Sequence, residues 1–315
     1  MRRLLVATVV LAAACSPGES AVTSTSLATT TSPAPTTTVP PTTSAPQVTT
    51  TTAAPTTTTL APATSTTLLA GVWAGLPLVT TEFGALGWWD DGWVDAESVG
   101  ALPVTGGEDY QVTVMGTSAL TSGGPQTTVC EPLDLLGVTL ADPELLGAFP
   151  GPYGVAISAP WVVQPHLFET VDDDGTYAGF AAELLSARGL DVASPVVKQI
   201  IRTDLEGDGV NEVLVVAEDV SPGFLMEPGD YSIAFLRKVV EGEVQTAVLG
   251  DTVVLDDTGT FSGAYTFGGA ADLNGDGKME IILDAGFFEG FSVSVFEYVD
   301  DDLGPLLVLQ TGCGS

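Results

Sequence analysis

An acidic loop occurs twice in this chain, as Asp204-Leu-Glu-Gly-Asp-Gly-Val-Asn-Glu212 and as Asp272-Leu-Asn-Gly-Asp-Gly-Lys-Met-Glu280. Oxygen-bearing side chains stand at loop positions one, three and five, glycine at six and a carboxylate at nine, which suits a hard cation that takes six or more oxygens. Those side chains are Asp204, Glu206, Asp208 and Glu212 in the first copy and Asp272, Asn274, Asp276 and Glu280 in the second. The copies start 68 residues apart, and each sits between strand-like runs, so the repeated unit reads as strand, acidic loop, strand and hairpin. An EF-hand would set helices around the loop and a glutamate at position twelve; here that position is Val215 or Leu283, inside apolar β-type sequence. The competing reading is a plain Gly-Asp-Gly turn in an acidic chain, since Asp-Asp-Gly also occurs at Asp90 and Asp173 without metal spacing. Two complete copies favour calcium in a structural role, because a cation draws mutually repelling carboxylates into one turn.

The chain opens with a basic pair, Arg2-Arg3, a short apolar run and small residues before Cys15, the layout of an export signal. The apolar run from Leu4 to Ala14 is too short to span a bilayer. Leu11-Ala-Ala-Ala-Cys15 resembles a bacterial lipobox, with Ala12 where leucine is more usual. That resemblance implies that residues 1–15 form a lipoprotein signal peptide, that Cys15 carries the lipid, and that the protein is extracytoplasmic and anchored to the cell membrane. Cleavage without lipidation, giving a freely secreted protein, is the alternative. Residues 16–70 are almost all Thr, Ser, Pro and Ala and cannot bury enough apolar surface to order themselves, so they are expected to form a disordered tether. Extended, roughly 50 such residues reach about 100–150 Å. Residues 71–315 then form one β-rich domain, within the usual single-domain size.

Forty acidic side chains against eight basic ones give a formal charge of −32. Such a surface repels nucleic acid and anionic headgroups and attracts cations, so membrane contact is expected only through the lipid anchor.

Within the domain, strand sequence is recognised by β-branched and aromatic runs bounded by Gly, Pro or Asp. It is expected at Tyr110–Met115, Gly154–Ser158, Val196–Thr203, Val213–Ala217, Tyr231–Val240, Val244–Leu255, Glu280–Asp284, Phe291–Tyr298 and Leu306–Gln310. Gly87–Val94 reads as two short strands around an Asp-Gly turn. Tyr177, Phe180, Ala181, Leu184 and Leu185 recur at helical spacing, with Thr176 as the cap and Gly189 as the stop.

The two loops and their flanking strands, roughly residues 196–255 and 263–310, resemble the FG-GAP or VCBS repeat, the calcium-bearing blade of integrin α-like β-propellers. The resemblance implies that Val210 and Lys278 add backbone carbonyls to the two ligand sets. Glu206 departs from the pattern, which prefers Asn or Asp there. The implied fold is mainly β: an irregular propeller-like stack of hairpin blades with one inserted α-helix, an open β-sandwich being the alternative. A closed ring needs about four blades, so residues 71–165 are expected to supply degenerate ones.

Cys130 and Cys313 are the cysteines left once Cys15 is lipidated, and in an exported protein they are expected to pair as a disulfide. His166 is the sole histidine, too little for a His-rich zinc site, and no Gly-x-Ser-x-Gly elbow accompanies it. Trp88, Trp89, Trp93 and Trp161 offer either a carbohydrate-binding face or core packing. With no catalytic constellation in view, the expected function is non-enzymatic binding of a surface protein or glycan. A secreted hydrolase using an unrecognised carboxylate pair is the alternative.

Overall fold

The computed structural model describes residues 69–314, apart from 132, 148–150, 174, 224, 241, 257–258, 260–262, 288–289 and 299–304. The signal peptide, Cys15 and nearly all of the tether lie outside the described residues.

The described residues are mainly β, with a single α-helix and three sheets in which every pairing is antiparallel. The first sheet holds β1 (Leu78–Thr81), β2 (Gly84–Trp89), β3 (Trp93–Asp95), β4 (Asp109–Val114), β5 (Thr117–Val129), β6 (Leu135–Leu140) and β7 (Val155–Ser158), in the order β3-β2-β1-β7-β4-β5-β6. The second holds β8 (Glu169–Thr170), β9 (Val197–Thr203), β10 (Glu212–Asp219), β11 (Tyr231–Val240) and β12 (Glu243–Val253), and α1 (Thr176–Ser186) precedes β9. The third is β13 (Gly263–Ala271), β14 (Glu280–Phe287), β15 (Gly290–Glu297) and β16 (Leu306–Gly314), paired in chain order.

The second and third sheets therefore share a four-strand meander, β9 to β12 and β13 to β16, with the acidic loop joining its first two strands. Thr203 pairs with Glu212 at the mouth of the first loop and Ala271 with Glu280 at the mouth of the second. Residues 71–165 do not make hairpin blades. They build the first sheet, in which β7, buried at every residue, inserts between β1 and β4. A strand with three apolar residues out of four gains most in the middle of a sheet, where both its faces are covered.

Alternation along β10 sends Leu214 and Val216 into the core shared with the third sheet, and Val215 and Ala217 into a core capped by Ala181 and Leu185 of α1. Ile282, Val293 and Leu309 of the third sheet pack on Val79, Val155 and Ile157 of the first. The other face of the first sheet is covered by Leu102 and Leu146 from its own connections. The order of layers is thus helix, second sheet, third sheet, first sheet, and no closed ring or barrel forms among the described residues. Backbone meets backbone where the first and third sheets join: the Met115 amide donates to Gly268 O at 2.8 Å, and a Cβ on Gly268 would collide with the Tyr153 carbonyl.

The helix lies where its apolar spacing puts it, but its cap differs. Thr176 is its first residue, and the two oxygens of Asp173 accept three N–H bonds, from Gly175, Tyr177 and Ala178 at 3.0, 3.1 and 3.0 Å. A carboxylate caps more strongly than a threonine hydroxyl because it also meets the positive end of the helix dipole. In the Trp89–Trp93 turn it is Asp91, not Gly92, that takes the positive φ, of 51°. Strand β5 is not among the expected strands; it runs through Gly124-Pro125 because a bulge between Gly123 and Gln126 absorbs them.

Candidate metal centre

Both acidic loops fold on one hydrogen-bond plan. The first aspartate's Oδ1 accepts from the glycine three places on, Asp204 from Gly207 at 2.7 Å and Asp272 from Gly275 at 2.6 Å. Its Oδ2 accepts from the glycine five places on, Gly209 at 2.8 Å and Gly277 at 3.1 Å. Asp208 and Asp276 accept from the Val210 and Lys278 amides at 2.7 and 2.8 Å. The closing glutamate reaches back to the second residue, Leu205 N–H to Glu212 at 2.8 Å and Leu273 N–H to Glu280 at 2.7 Å. Gly207 and Gly275 sit at φ 75° and 84°, a region that side chains with a Cβ rarely enter. Those glycines stand at position four; at position six, where the sequence also places glycine, Gly209 and Gly277 both take φ 88°.

The loops are neighbours. Met279 N–H of the second donates to Leu205 O of the first at 2.7 Å. The connection from β7 to β8 runs across both: Trp161 Nε1 donates to Asp272 O at 2.9 Å, the Asp272 amide donates to Val163 O at 2.7 Å, and His166 lies against Gly207. Gln111 of β4 fixes this connection through the carbonyls of Ala159 and Trp161. His166 is therefore a packing residue of the loop surroundings, and the sequence carries no signal for that role.

Glu212, Asp272 and Glu280 are 1, 4 and 1 % exposed. Burial pushes Glu212 up to about 7, with Glu206, Asp204 and Asp208 adding to it against the Leu205 amide. Burial likewise raises Asp272 to about 6, reinforced by Asp276, and drives Glu280 well above the usual carboxylate range, reinforced by Asp276, Asp272 and Glu297. Asn274 donates to Glu280 at 3.2 Å, relieving part of that crowding. Among the described residues no three Asp, Glu, His or Cys side chains converge as a ready-made metal cluster. Each loop instead offers a mixed set of hard oxygens, two of them buried carboxylates in the second loop, where Asp272 adds to the raised proton affinity of Glu280. That donor chemistry fits a hard divalent cation, which would supply the positive charge the buried oxygens otherwise draw from protons.

The four tryptophans do not share a face. Trp88 enters the core on one side of the first sheet and Trp93 the core on the other, Trp89 stacks edgewise on Trp93 at 5.1 Å, and Trp161 packs against the loops. A flat aromatic platform is thereby replaced by core packing. Cys130 and Cys313 are bonded, with a Cα–Cα separation of 5.6 Å.

Asp284 is a site residue that motif reading passes over. It is 2 % exposed, four places after Glu280 on the same face of β14; its Oδ2 accepts from Tyr153 N–H at 2.8 Å and its Oδ1 has no hydrogen-bond partner. An acid inside the apolar run Glu-Ile-Ile-Leu-Asp-Ala is the sequence signal for it. Burial drives this carboxyl well above the usual carboxylate range. A raised folded pKa favours the folded state fully below the unfolded value and ceases to do so as pH climbs through the folded value. Asp284→Asn is therefore expected to match the parent in urea melts at about pH 3 and to exceed it by about 2 kcal/mol in alkaline buffer. Lower stability of the variant at both pH values would reject that account.

Fold and site together define an antiparallel β domain whose two meander sheets each turn on an acidic loop. No protein-family model, curated protein or solved structure matches the chain.

Proposed function

We propose that the protein is an extracytoplasmic, lipid-anchored binding module: Cys15 holds it to the membrane, the Thr/Pro-rich tether carries it outward, and calcium at two FG-GAP/VCBS-like blades stiffens the β scaffold. Its partner is a surface protein or glycan, bound without turnover. The observation that supports this most is the duplicated loop geometry, two turns with one hydrogen-bond plan, side by side, each closed by a buried glutamate. In each blade the ligands would be the loop oxygens named above, with Val210 and Lys278 giving carbonyls. Calcium there orders chain and performs no chemistry, since it would hold the strand crossing rather than face a substrate. The two four-strand meanders are the units that a propeller would repeat.

Labelled protein incubated with cell-wall and membrane fractions and with a glycan array tests this reading. Saturable retention in millimolar calcium is expected, at least tenfold weaker in EGTA, with the bound material chemically unchanged. Turnover abolished by an Asp or Glu substitution outside the two loops would replace the binding reading with a hydrolase. Absence of retention on every fraction would reject a docking role.

A further inference from the structure

Away from the acidic loops, the third sheet meets the second sheet and the connection into β7 around a cavity of about 360 Å³. Tyr153, Tyr265 and Phe291 line it with aromatic surface, and Lys198, Thr266 and Asp284 bring polar groups. The space exists because the cross-strand partners Ala264 and Gly286 are small; a Cβ on Gly286 would meet nothing within 4 Å. Thr266 pairs directly with Asp284, so both project from the same sheet face. Tyr153 and Phe291 hold each other edge to face at 4.5 Å. Among the lining residues, Asp284 is 2 % exposed and its Oδ1 has no hydrogen-bond partner.

Buried polar atoms are nearly always hydrogen-bonded, and one left open in a cavity wall marks a place for a ligand donor. We propose that this cavity binds a small organic amine, with the ammonium head on Asp284 Oδ1 and the apolar body against Tyr153, Tyr265 and Phe291. A cation suits both parts of the site, since a carboxylate pairs with it and aromatic faces attract it. Lys198 is exposed and lies in the field of Glu218 on β10, which leaves the Asp284 oxygen to a guest. The net charge of −32 concentrates cations around the protein. Burial favours the protonated form of Asp284, and an ammonium group takes the place of that proton. The site shares no residue with the loops and goes beyond the docking role, so either can fail without the other.

Calorimetric titration of the full chain in calcium buffer at neutral pH, with hexylamine, benzylamine and tryptamine and their alcohol counterparts, tests the assignment. At least one amine is expected to bind saturably at one site, with its alcohol at least tenfold weaker. Asp284→Asn and Gly286→Val should each weaken that amine at least tenfold, the first by removing the charge and the second by filling the open space while keeping it. Gly286→Val decides alone if Asp284→Asn does not fold. Equal binding of amine and alcohol, undiminished binding by the folded variants, or no binding of any amine by the parent protein would overturn the proposal.

Discussion

Stripping divalent ions from the purified protein with excess EGTA is expected to lower its thermal midpoint by about 10–20 °C. A site with a dissociation constant of about 10 µM, in about 1 mM calcium, stabilises the folded chain by about 2.7 kcal/mol. Two such sites give about 5 kcal/mol, and for a domain of this size each kcal/mol moves the midpoint by about 2–4 °C. The loops set the direction. Glu280 and Asp272 are held almost out of water beside Asp276, so without a cation the turn keeps anionic oxygens close together in a poorly solvated place. Glu280→Gln localises the effect. It should remove about half of the calcium increment, because one of the two sites is lost, while leaving the midpoint in EGTA unchanged or higher, because the amide carries no charge to bury. The first loop, with Glu206 where a shorter side chain suits the ring, is expected to release calcium first in a chelator titration. An identical midpoint with and without EGTA, together with no heat on calcium titration, would reject metal at both turns.

The parts of this structure legible in the sequence are those set by local chemistry. Tyr231–Val240 is a strand from end to end because its β-branched and aromatic run meets Gly-Asp at one side and a turn at the other. The turns of both loops follow from glycine and oxygen spacing, and the helix from its stripe. What escapes is set by partners distant in sequence. β13 carries Gly268-Gly269 and looks too weak for a strand, yet the close approach of Tyr153 demands a residue without a Cβ there. The place of β7 between β1 and β4 depends on pairings that no local pattern encodes. Trp161 reads equally as sugar binding or core, and the sequence discounts His166 for catalysis without placing it; both are packing for the loops, which only the path of the β7–β8 connection reveals. Asp284 carries a local signal, an acid inside an apolar run, but among forty acidic residues its role shows only in its surroundings.

Removing the Cys130–Cys313 bridge by the double substitution to serine is expected to cost about 5 kcal/mol, or about 10–20 °C in midpoint. The bridge closes a loop of 183 residues, and in the chain-entropy account a longer loop means more freedom returned to the unfolded chain when it opens. Its position predicts where the loss is felt. Cys130 follows β5 of the first sheet and Cys313 lies in β16, which pairs with β15 alone and forms an edge of the third sheet. Leu309 is the β16 side chain fully committed to the core between those sheets, whereas Leu306 and Leu307 stay 56 and 47 % exposed. Without the staple, β16 is held mainly by its ladder to β15, so its amides should exchange with deuterium at least tenfold faster while those of β10, covered on both faces, change little. Because the proposed calcium would tie β13 to β14 on the far side of the same sheet, the two losses act on different strands and should add within about 0.5 kcal/mol. A serine variant that melts with the parent and keeps β16 protected would mean that packing around Leu309 alone secures the C-terminal strand.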